Sequence, residues 1–467
     1  MIVMRSIRTL LPVFLALSAG GCLANDGPGV DGTPSDETGR GEPADVKVDL
    51  GDFRPRNVVI VQVDTLRADA LPRWGSLRGT LPRLDARSGW IGVDRAVSTG
   101  SWTAPATASL LSGSDQPTHG VRFFDDTGPN QLFTVPSFAP YLAEQGFATA
   151  LVTGNQVLLT RDYELGHGFG VSLPVVDEPG NAAGAVGLAV DWLDTLSSDE
   201  PFLLFLQPMD AHSPYRPEQE DLWTWADPAD MPFNVDDPSF AQENQIGDAL
   251  EDAETEEDRA RILESVRAIY DEQILGVDRA IDTLMAALEA RGRLDETLIV
   301  VTADHGESFF DGPTASLGHG QSLRNELVHV PLLFWGPGVT DAHLPCVASN
   351  MDVFPTIVDA LGLPPLPSAE GRSLLEGCRE QAFSGLYSAA GGVETLEYVG
   401  VESLQGQVIY GCRGGGVLAF DLVADPLASN TLPVAEVPDG VALAAALDAY
   451  VAGVVTTLPW LTCAATP

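Results

Sequence analysis

Lysine is almost absent from this chain. Lys47 is the only lysine among 467 residues, so every other basic side chain is an arginine. Lys47 falls in a leader without a helix or strand pattern, so a site in the rest of the chain has no lysine ammonium available. Positive charge is scarce altogether, because the formal net charge is −41 and the pI is about 4.2. This charge argues against nucleic acid or an anionic membrane surface as a partner.

Cysteine is also scarce, with five in the whole chain. One follows an N-terminal apolar segment, and the other four lie further along: Cys346, Cys378, Cys412 and Cys463. None of them has the CxxC spacing that is typical of structural zinc sites. In an oxidising compartment, four cysteines predict two disulfides with three possible pairings, and scattered free thiols are the alternative.

The N-terminus has the features of an export signal. Two arginines precede an apolar run, Leu10–Leu17, which is too short to span a bilayer as a mature helix. Small residues then lead to Cys22, and this Ser-Ala-Gly-Gly-Cys sequence resembles a bacterial lipoprotein cleavage box, with Ala19 where leucine is usual. We therefore predict a lipoprotein-type signal peptide over residues 1–22, with ordinary signal cleavage nearby as the alternative.

This leader predicts where the protein resides. A lipid on Cys22 would place the exported chain in the bacterial cell envelope, at the periplasm or outer membrane, with the N-terminal anchor as its membrane contact. Residues 23–54 are rich in Gly, Asp, Pro and Ser, which predicts a flexible acidic linker. Composition does not predict the oligomeric state.

Strand and helix patterns alternate after the linker. Apolar runs such as Phe202–Leu206 are typical of strands buried on both faces, and helical periodicity is clearest over Asp258–Arg291. The alternation predicts an α/β fold, a mostly parallel sheet flanked by helices. The acidic stretch Trp223–Glu257 is interpreted as a variable loop over the site. From residue 380, short strands and a last helix, Val441–Val454, predict a small C-terminal α+β subdomain.

Two of the buried-type strands end in residues that can bind a metal ion. The run Val58–Val63 is followed by Asp64, and the run Thr297–Ala303 by Asp304 and His305. In open α/β sheets, ligands bind beyond the carboxyl ends of the strands. Three such side chains plus an open coordination position are typical of a catalytic site. We predict one divalent metal ion, with Zn²⁺ or Mn²⁺ favoured and Ca²⁺ as the alternative.

A third feature is a predicted helix that begins near Thr103. Pro105 suits the first turn of a helix, and Gly113 can end it. Thr103 would then lie at the helix N-terminus, where free backbone N–H groups and the helix dipole favour an anion. A hydroxyl group beside a metal ion at this position can serve as nucleophile and metal ligand. The alternative is that Thr103 only caps its helix.

An ordered series of motifs runs from about Asn57 to the C-terminal region. The motifs are VDTLRAD, WTAP with SLLSG, PTHGV, PFLLFLQPMDAHSPY, TADHGE, GHGQSL, ELVHVPLLFWGPG, MDVFPTIVDALG, GRSLL and FDLVADP. Through these motifs the chain resembles the sulfatase branch of the alkaline phosphatase superfamily. The resemblance implies an alkaline-phosphatase-like catalytic domain over residues 55–379, a small subdomain over residues 380–467, and metal-dependent hydrolysis of esters.

The chain departs from this family at the nucleophile. Sulfatases of the family carry Cys/Ser-x-Pro-x-Arg, whose first residue becomes formylglycine, whereas this chain has Thr103-Ala-Pro-Ala-Thr107. The lysines of the sulfatase site are missing as well, and Thr65 replaces a second Asp, which disfavours Ca²⁺. A metal-bound Thr nucleophile resembles the phosphoesterases and phosphoryl-group transferases of the superfamily. We therefore expect phosphate esters to be favoured over sulfate esters.

The resemblance also implies roles for two histidines. His212 in AHSPY and His319 in GHGQS would bind the substrate and protonate the leaving group, since imidazole titrates near neutral pH. For an isolated histidine, a structural role is the alternative. The Asp210-x-His212 spacing resembles single-metal sulfatases rather than two-zinc phosphodiesterases. His119 is interpreted as a packing and hydrogen-bonding residue. Two further pocket candidates are Arg67 and Asn155.

Together these features predict an exported enzyme in which Thr103 attacks a phosphate ester, His212 or His319 protonates the leaving group, and water releases the phospho-threonine. The substrate would be a small-molecule, glycan or lipid ester. A phosphoryl-group transferase is one alternative, although the transferases it resembles are usually built onto a transmembrane bundle. Another is a catalytically degenerate binding protein, favoured by Ala106 and Thr107 in the signature and opposed by the intact metal ligands. A true sulfatase is the third.

Overall fold

The structure is a computed structural model that describes residues 46–123, 135–159, 163, 165–176, 181–231, 243–311, 316–390, 393–414 and 416–463. The predicted signal peptide, its Cys22 and most of the predicted linker lie outside the described residues. Residues 46–54, the end of the linker range, are described. Val48 and Leu50 are buried in the main core, and the Val48 amide donates a hydrogen bond of 2.8 Å to the Leu374 carbonyl.

The described residues form one large sheet and two smaller ones. The strands are β1 Asn57–Val63, β2 Trp90–Val97, β3 Ala148–Thr153, β4 Val171–Pro174, β5 Phe202–Gln207, β6 Thr297–Ala303, β7 Ser308–Phe309, β8 Leu317–Gly318, β9 His329–Val330, β10 Leu332–Trp335, β11 Ala342–Ser349, β12 Ala382–Ala390, β13 Val393–Glu402, β14 Gly406–Gly411 and β15 Gly416–Asp421. The helices are α1 Pro82–Asp85, α2 Thr103–Ser112, α3 Gln116–His119, α4 Phe138–Glu144, α5 Ala182–Leu193, α6 Glu243–Asp252, α7 Glu256–Ala290, α8 Asn325–Val328, α9 Val353–Ala360 and α10 Gly440–Thr457.

The large sheet has the strand order β11-β2-β10-β6-β1-β5-β3-β4, with β9 paired to β2. Every pairing in it is parallel except those of β9 and β10. Two groups of helices flank it: α5 packs against α7, and α2 packs against α4 and α9. The prediction of a mostly parallel α/β sheet flanked by helices is confirmed.

The centre of the sheet explains why its strands have no alternating pattern. Every residue of β1, β5 and β6 is buried, because helices cover both faces there. β1 lies between β5 and β6, and Val63 is paired with Ala303 in parallel register. The residues that follow these two strands therefore leave the sheet side by side.

One predicted loop contains a helix. The stretch Trp223–Glu257 includes α6, and α7 begins at Glu256, while residues 232–242 are outside the described part of the chain. Ile246 and Leu250 lie four residues apart on α6 and are both buried. The pair gives α6 one apolar face, but the acidic, Pro-bearing composition of the surrounding stretch favoured the loop interpretation.

The C-terminal subdomain is a four-stranded antiparallel sheet, β12-β13-β14-β15, covered by α10. The helix α10 is apolar and long enough to cross a membrane, but its face with Leu443, Leu447 and Val454 is buried in this subdomain. The four-stranded sheet and α10 together make up the predicted small α+β subdomain.

The four cysteines Cys346, Cys378, Cys412 and Cys463 form two disulfides. They are Cys346–Cys378 and Cys412–Cys463, which is one of the three predicted pairings.

Candidate active site

Asp64, Asp304 and His305 meet at the carboxyl edge of the sheet. They directly follow the adjacent strands β1 and β6, and all three are fully buried. One oxygen or nitrogen atom from each lies within 4.8 Å of the other two. His305 Nε2 is 3.8 Å from Asp64 Oδ1 and 3.7 Å from Asp304 Oδ2. The structure thus brings together the three side chains predicted to bind a metal ion.

Backbone hydrogen bonds orient the Asp304 carboxylate. Its Oδ1 accepts hydrogen bonds from the backbone N–H groups of His305 (2.8 Å) and Thr65 (3.2 Å). Its Oδ2 faces the site, where the nearest donor is Gln207 Nε2 at 3.4 Å. One oxygen is therefore used for positioning, and the other is available to a ligand.

The imidazole of His305 is oriented in the same way. Its Nδ1 lies 2.9 Å from the Gly306 carbonyl oxygen, which can only accept a hydrogen bond. We infer that Nδ1 carries the proton and that Nε2 presents its lone pair to the two carboxylates. Burial, with His319 adding to it, lowers the pKa of His305 to about 3, so the ring is neutral. A metal-binding histidine is usually a neutral imidazole whose other ring nitrogen donates a hydrogen bond to a carbonyl or carboxylate.

The donor set fits a divalent cation. Burial and the proximity of the two carboxylates raise the pKa of Asp64, and burial raises that of Asp304 to about 6. Asp64 Oδ1 is buried and has no hydrogen-bond partner within the part of the chain that the structure describes. Two buried carboxylates this close together repel each other, and a bound divalent cation would stabilise both.

Thr103 is the first residue of α2, and its hydroxyl group faces the same cluster. Thr103 Oγ1 lies 3.5 Å from Asp64 Oδ2 and 3.4 Å from His305 Nε2. The residue at the N-cap position is Trp102, so Thr103 does not serve as the N-cap. Asn155 Nδ2 lies 2.7 Å from Asp64 Oδ2 and 3.3 Å from Thr103 Oγ1. The structure therefore places Asn155, a predicted pocket candidate, beside both Asp64 and Thr103.

His212 and His319 lie beside the cluster. The ring of His319 is 4.5 Å from that of His305 and 5.0 Å from that of His212, measured between centroids. His212 Nδ1 is 2.5 Å from the Ser213 carbonyl, and His319 Nδ1 is 2.9 Å from Glu307 Oε1. Although burial opposes it, Glu307 raises the pKa of His319 to about 9. The structure therefore brings both histidines together, and the raised pKa favours the protonated form of His319 at neutral pH.

Arg67 and His119 are held by ion pairs and hydrogen bonds to neighbouring protein groups. Arg67 is 2% exposed, and its guanidinium contacts Asp69, Asp311 and the Glu307 carbonyl, so its charge is paired with these two carboxylates. His119 is buried and its Nε2 lies 2.9 Å from Ser109 Oγ, which agrees with its predicted packing and hydrogen-bonding role.

Sequence reasoning missed three residues of this site: Gln207, Glu243 and Glu307. Gln207 ends β5 and contacts both aspartates, but its place depends on the strand order. Glu307 stands in the TADHGE motif, yet its contact with His319 depends on the pairing of β7 with β8. Glu243 begins α6 in the stretch interpreted as a loop, and its carboxylate lies near the Glu307 carboxylate and the His319 imidazole.

Two curated relatives share parts of the sequence. Arylsulfatase K of Mus musculus is 32% identical over 131 residues, which is 26% of this chain and 22% of that protein. The low-salt glycan biosynthesis sulfotransferase Agl7 of Haloferax volcanii is 27% identical over 310 residues, which is 66% of this chain and 61% of that protein. Both matches cover less than two thirds of the relative's own length.

Solved structures share the fold over most of the chain. A protein in complex with its substrate D-glucosamine-2-N,6-O-disulfate has a TM-score of 0.64 at 17% identity, covering 86% of this chain and 98% of the other. The phosphonate monoester hydrolase of Silicibacter pomeroyi has a TM-score of 0.62 at 20% identity, covering 86% and 95%.

The family assignment rests on sequence. The Sulfatase family model matches residues 56–179 and 182–363, which is more than half of the chain and includes Asp64, Thr103, Asp304 and His305. This chain belongs to the sulfatase family.

Proposed function

We propose that this sulfatase-family hydrolase cleaves phosphate esters with Thr103 as nucleophile and one divalent metal ion as cofactor. The observation that carries the proposal is the position of the Thr103 hydroxyl. It lies within 3.5 Å of Asp64, Asn155 and His305 and is not engaged in capping α2. Asp64, Asp304 and His305 would hold the cation together with this hydroxyl, and the cation's charge would lower the hydroxyl pKa and offset charge on the ester oxygens.

The protein's own groups supply the remaining steps. The Thr103 hydroxyl releases its proton to solvent, and Oγ1 forms a bond to phosphorus while the bond from phosphorus to the ester oxygen breaks. His319, protonated at neutral pH and oriented by Glu307, donates a proton to the departing oxygen and regains one from solvent; His212, whose ring lies beside that of His319, would bind the substrate or supply this proton instead. Water then cleaves the phospho-threonine, so ester and water yield alcohol and phosphate.

Several observations support phosphate over sulfate. Thr103 has no route to formylglycine, and Thr107, at the arginine position of the sulfatase signature, accepts a hydrogen bond of 2.7 Å from Gln62 in the core. The family membership and the sulfated substrate of a structural relative favour a true sulfatase as the second candidate. The name of the Haloferax relative favours a transferase as the third, in which an acceptor alcohol replaces water.

The test is ester hydrolysis by the full-length chain. Phosphate monoesters, phosphate diesters and sulfate esters of 4-nitrophenol would be assayed with Mn²⁺, Zn²⁺ or Ca²⁺, and product partition would be followed with added glycerol as acceptor. We expect phosphate-ester turnover that falls by on the order of 10³-fold in Thr103→Ala. Thr103→Ser, the matched control, keeps a hydroxyl and should retain most of the rate.

Other outcomes select the alternatives. Sulfate turnover that survives Thr103→Ala would overturn the nucleophile assignment. A glycerol ester as the main product would indicate a transferase. No turnover of any ester, with no metal bound after purification, would indicate a binding protein.

We also propose that the chain is exported and lipid-anchored at Cys22, in the bacterial cell envelope. The apolar leader and the small residues before Cys22 support this proposal. Cys22→Ala should move the protein from the membrane fraction to the soluble fraction or leave the signal peptide uncleaved. A wild-type chain found in the soluble fraction would contradict it.

A further inference from the structure

Thr65, the residue after Asp64, has an unusual backbone conformation. Its φ angle is +58°, in the left-handed region that β-branched residues rarely adopt. The residue is fully buried, and its hydroxyl group donates a hydrogen bond of 2.8 Å to the Asp64 carbonyl. Such a conformation persists where neighbouring groups hold it, and it is found preferentially at functional sites.

The side chain of Tyr270 holds this turn. Its hydroxyl group donates a hydrogen bond of 2.9 Å to the Thr65 carbonyl and accepts one of 2.9 Å from the Arg67 amide. A single oxygen atom therefore bridges two backbone groups on either side of Leu66. Because Tyr270 belongs to the long helix α7, the turn after β1 is connected to an element more than 200 residues away in sequence.

The held turn affects a predicted metal ligand directly. With φ positive, the Thr65 amide points at Asp304 Oδ1, to which it donates its 3.2 Å hydrogen bond. That bond, with the His305 amide, occupies Oδ1 and leaves Oδ2 turned toward Asp64 and His305. A relaxed turn would move the Thr65 amide away, and the Asp304 carboxylate could rotate.

We propose that Tyr270 is a positioning residue for the metal centre, acting through the strained turn at Thr65 on the carboxylate of Asp304. The inference rests on the proposed metal site and adds a residue to it. Tyr270 is fully buried, with Tyr215 and Phe309 against its ring at 6.0 Å and 5.1 Å, so it cannot reach substrate and acts only through the backbone.

The experiment measures metal affinity without turnover. The metal-free full-length chain and its Tyr270→Phe variant would be titrated with Mn²⁺ alone by calorimetry. Loss of a group that orients a metal ligand typically weakens metal binding by about 10- to 100-fold, and we expect Tyr270→Phe to weaken Mn²⁺ binding by that amount. Tyr410→Phe is the matched control. It removes another buried tyrosine hydroxyl that donates to a backbone carbonyl, that of Ala444 at 3.2 Å in the C-terminal subdomain, and should leave the affinity unchanged.

A second substitution tests the strained turn itself. Glycine adopts positive φ without strain, so Thr65→Gly in the Tyr270→Phe background should recover most of the lost Mn²⁺ affinity. Equal Mn²⁺ affinity in wild type and Tyr270→Phe would overturn the proposal, even if the variant melts at a lower temperature. A loss that Thr65→Gly fails to recover would also overturn it. A wild type that binds no Mn²⁺, Zn²⁺ or Ca²⁺ would instead contradict the metal site of the proposed function.

Discussion

Glu307 and His319 form a partly buried ion pair beside the predicted metal ligands, with Oε1 of the carboxylate 2.9 Å from Nδ1 of the imidazole. Because Nδ1 is committed to the carboxylate, Nε2 is the ring nitrogen left to donate a proton to substrate. The arrangement supplies a positive group in a chain whose only lysine lies near its N-terminus. Glu307 orients the His319 ring and, by raising its pKa, stabilises its positive charge.

The effect of removing the proposed general acid, His319, on the rate should depend on the leaving group of the ester. Glu307→Gln and His319→Asn should slow the hydrolysis of an alkyl phosphate by about 10²- to 10⁴-fold, since a poor leaving group needs protonation. The same variants should slow the hydrolysis of 4-nitrophenyl phosphate far less, because 4-nitrophenolate can leave without being protonated. Steady-state kcat/KM on the two esters checks this. An equal loss on both esters would assign the pair a binding role.

Asn155 should control the alignment of the nucleophile. Asn155→Ala removes donors to Asp64 and Thr103 and leaves the Asp64 carboxylate with one fewer partner. We expect kcat to fall by about 10- to 100-fold and metal affinity to fall with it. Asn57→Ala, at the opposite end of β1, removes another buried amide and should affect stability alone. Unchanged kcat in Asn155→Ala would show that the hydroxyl is aligned by other groups.

The two disulfides should each stabilise the fold. Cys412–Cys463 closes a loop of 51 residues around the C-terminal subdomain, and the double substitution to Ser should lower the free energy of unfolding by about 2–4 kcal/mol. Guanidinium unfolding with and without reductant measures the change. Peptide mapping under non-reducing conditions provides the control, because a Cys346–Cys412 peptide would contradict the pairing.

Stability should depend on pH through Asp115. Burial, with Glu370 nearby, raises the pKa of this carboxyl to about 6, although the Tyr450 hydroxyl donates to it at 2.7 Å. The folded chain binds this proton more tightly than the unfolded chain, whose Asp pKa is about 3.9. Tighter binding of this proton therefore contributes its full amount to the free energy of unfolding below about pH 3.9, and this contribution is lost as the pH rises through about 6.

Asp115→Asn should remove this part of the pH dependence. Between pH 5 and pH 8, the free energy of unfolding of the wild type should fall by about 1–2 kcal/mol more than that of the variant. Chemical unfolding at the two pH values checks the difference. Asp191→Asn, at an exposed position on α5, is the control, and parallel curves for wild type and Asp115→Asn would contradict the assignment.

Much of the site could be predicted because it depends on local patterns. Asp64 and Asp304 each end a continuous apolar run, and such runs become parallel strands whose carboxyl ends share one edge. Thr103 could be placed at a helix N-terminus because Pro105 and Gly113 mark the ends of that helix. The observed helix begins at Thr103 itself, two residues before Pro105, and Gly113 ends it with φ +66°.

Other residues could not be predicted because their roles depend on pairing between distant segments. Gln207 reaches the site only because β5 lies next to β1, and Tyr270 only because α7 crosses the turn at Thr65. Helix α6 was missed because its single buried apolar pair lies in an acidic stretch.

The sequence by itself determined the chemical groups available to this protein: two carboxylates and an imidazole after buried strands, a hydroxyl group at a helix N-terminus, and almost no lysine. Only the tertiary structure decided which atoms of those groups face each other, which cysteines pair, and that Glu307 orients His319 and stabilises its protonated form. The reason is physical. Periodicity and strand ends are set by neighbours along the chain, whereas hydrogen bonds between side chains depend on strand order and register.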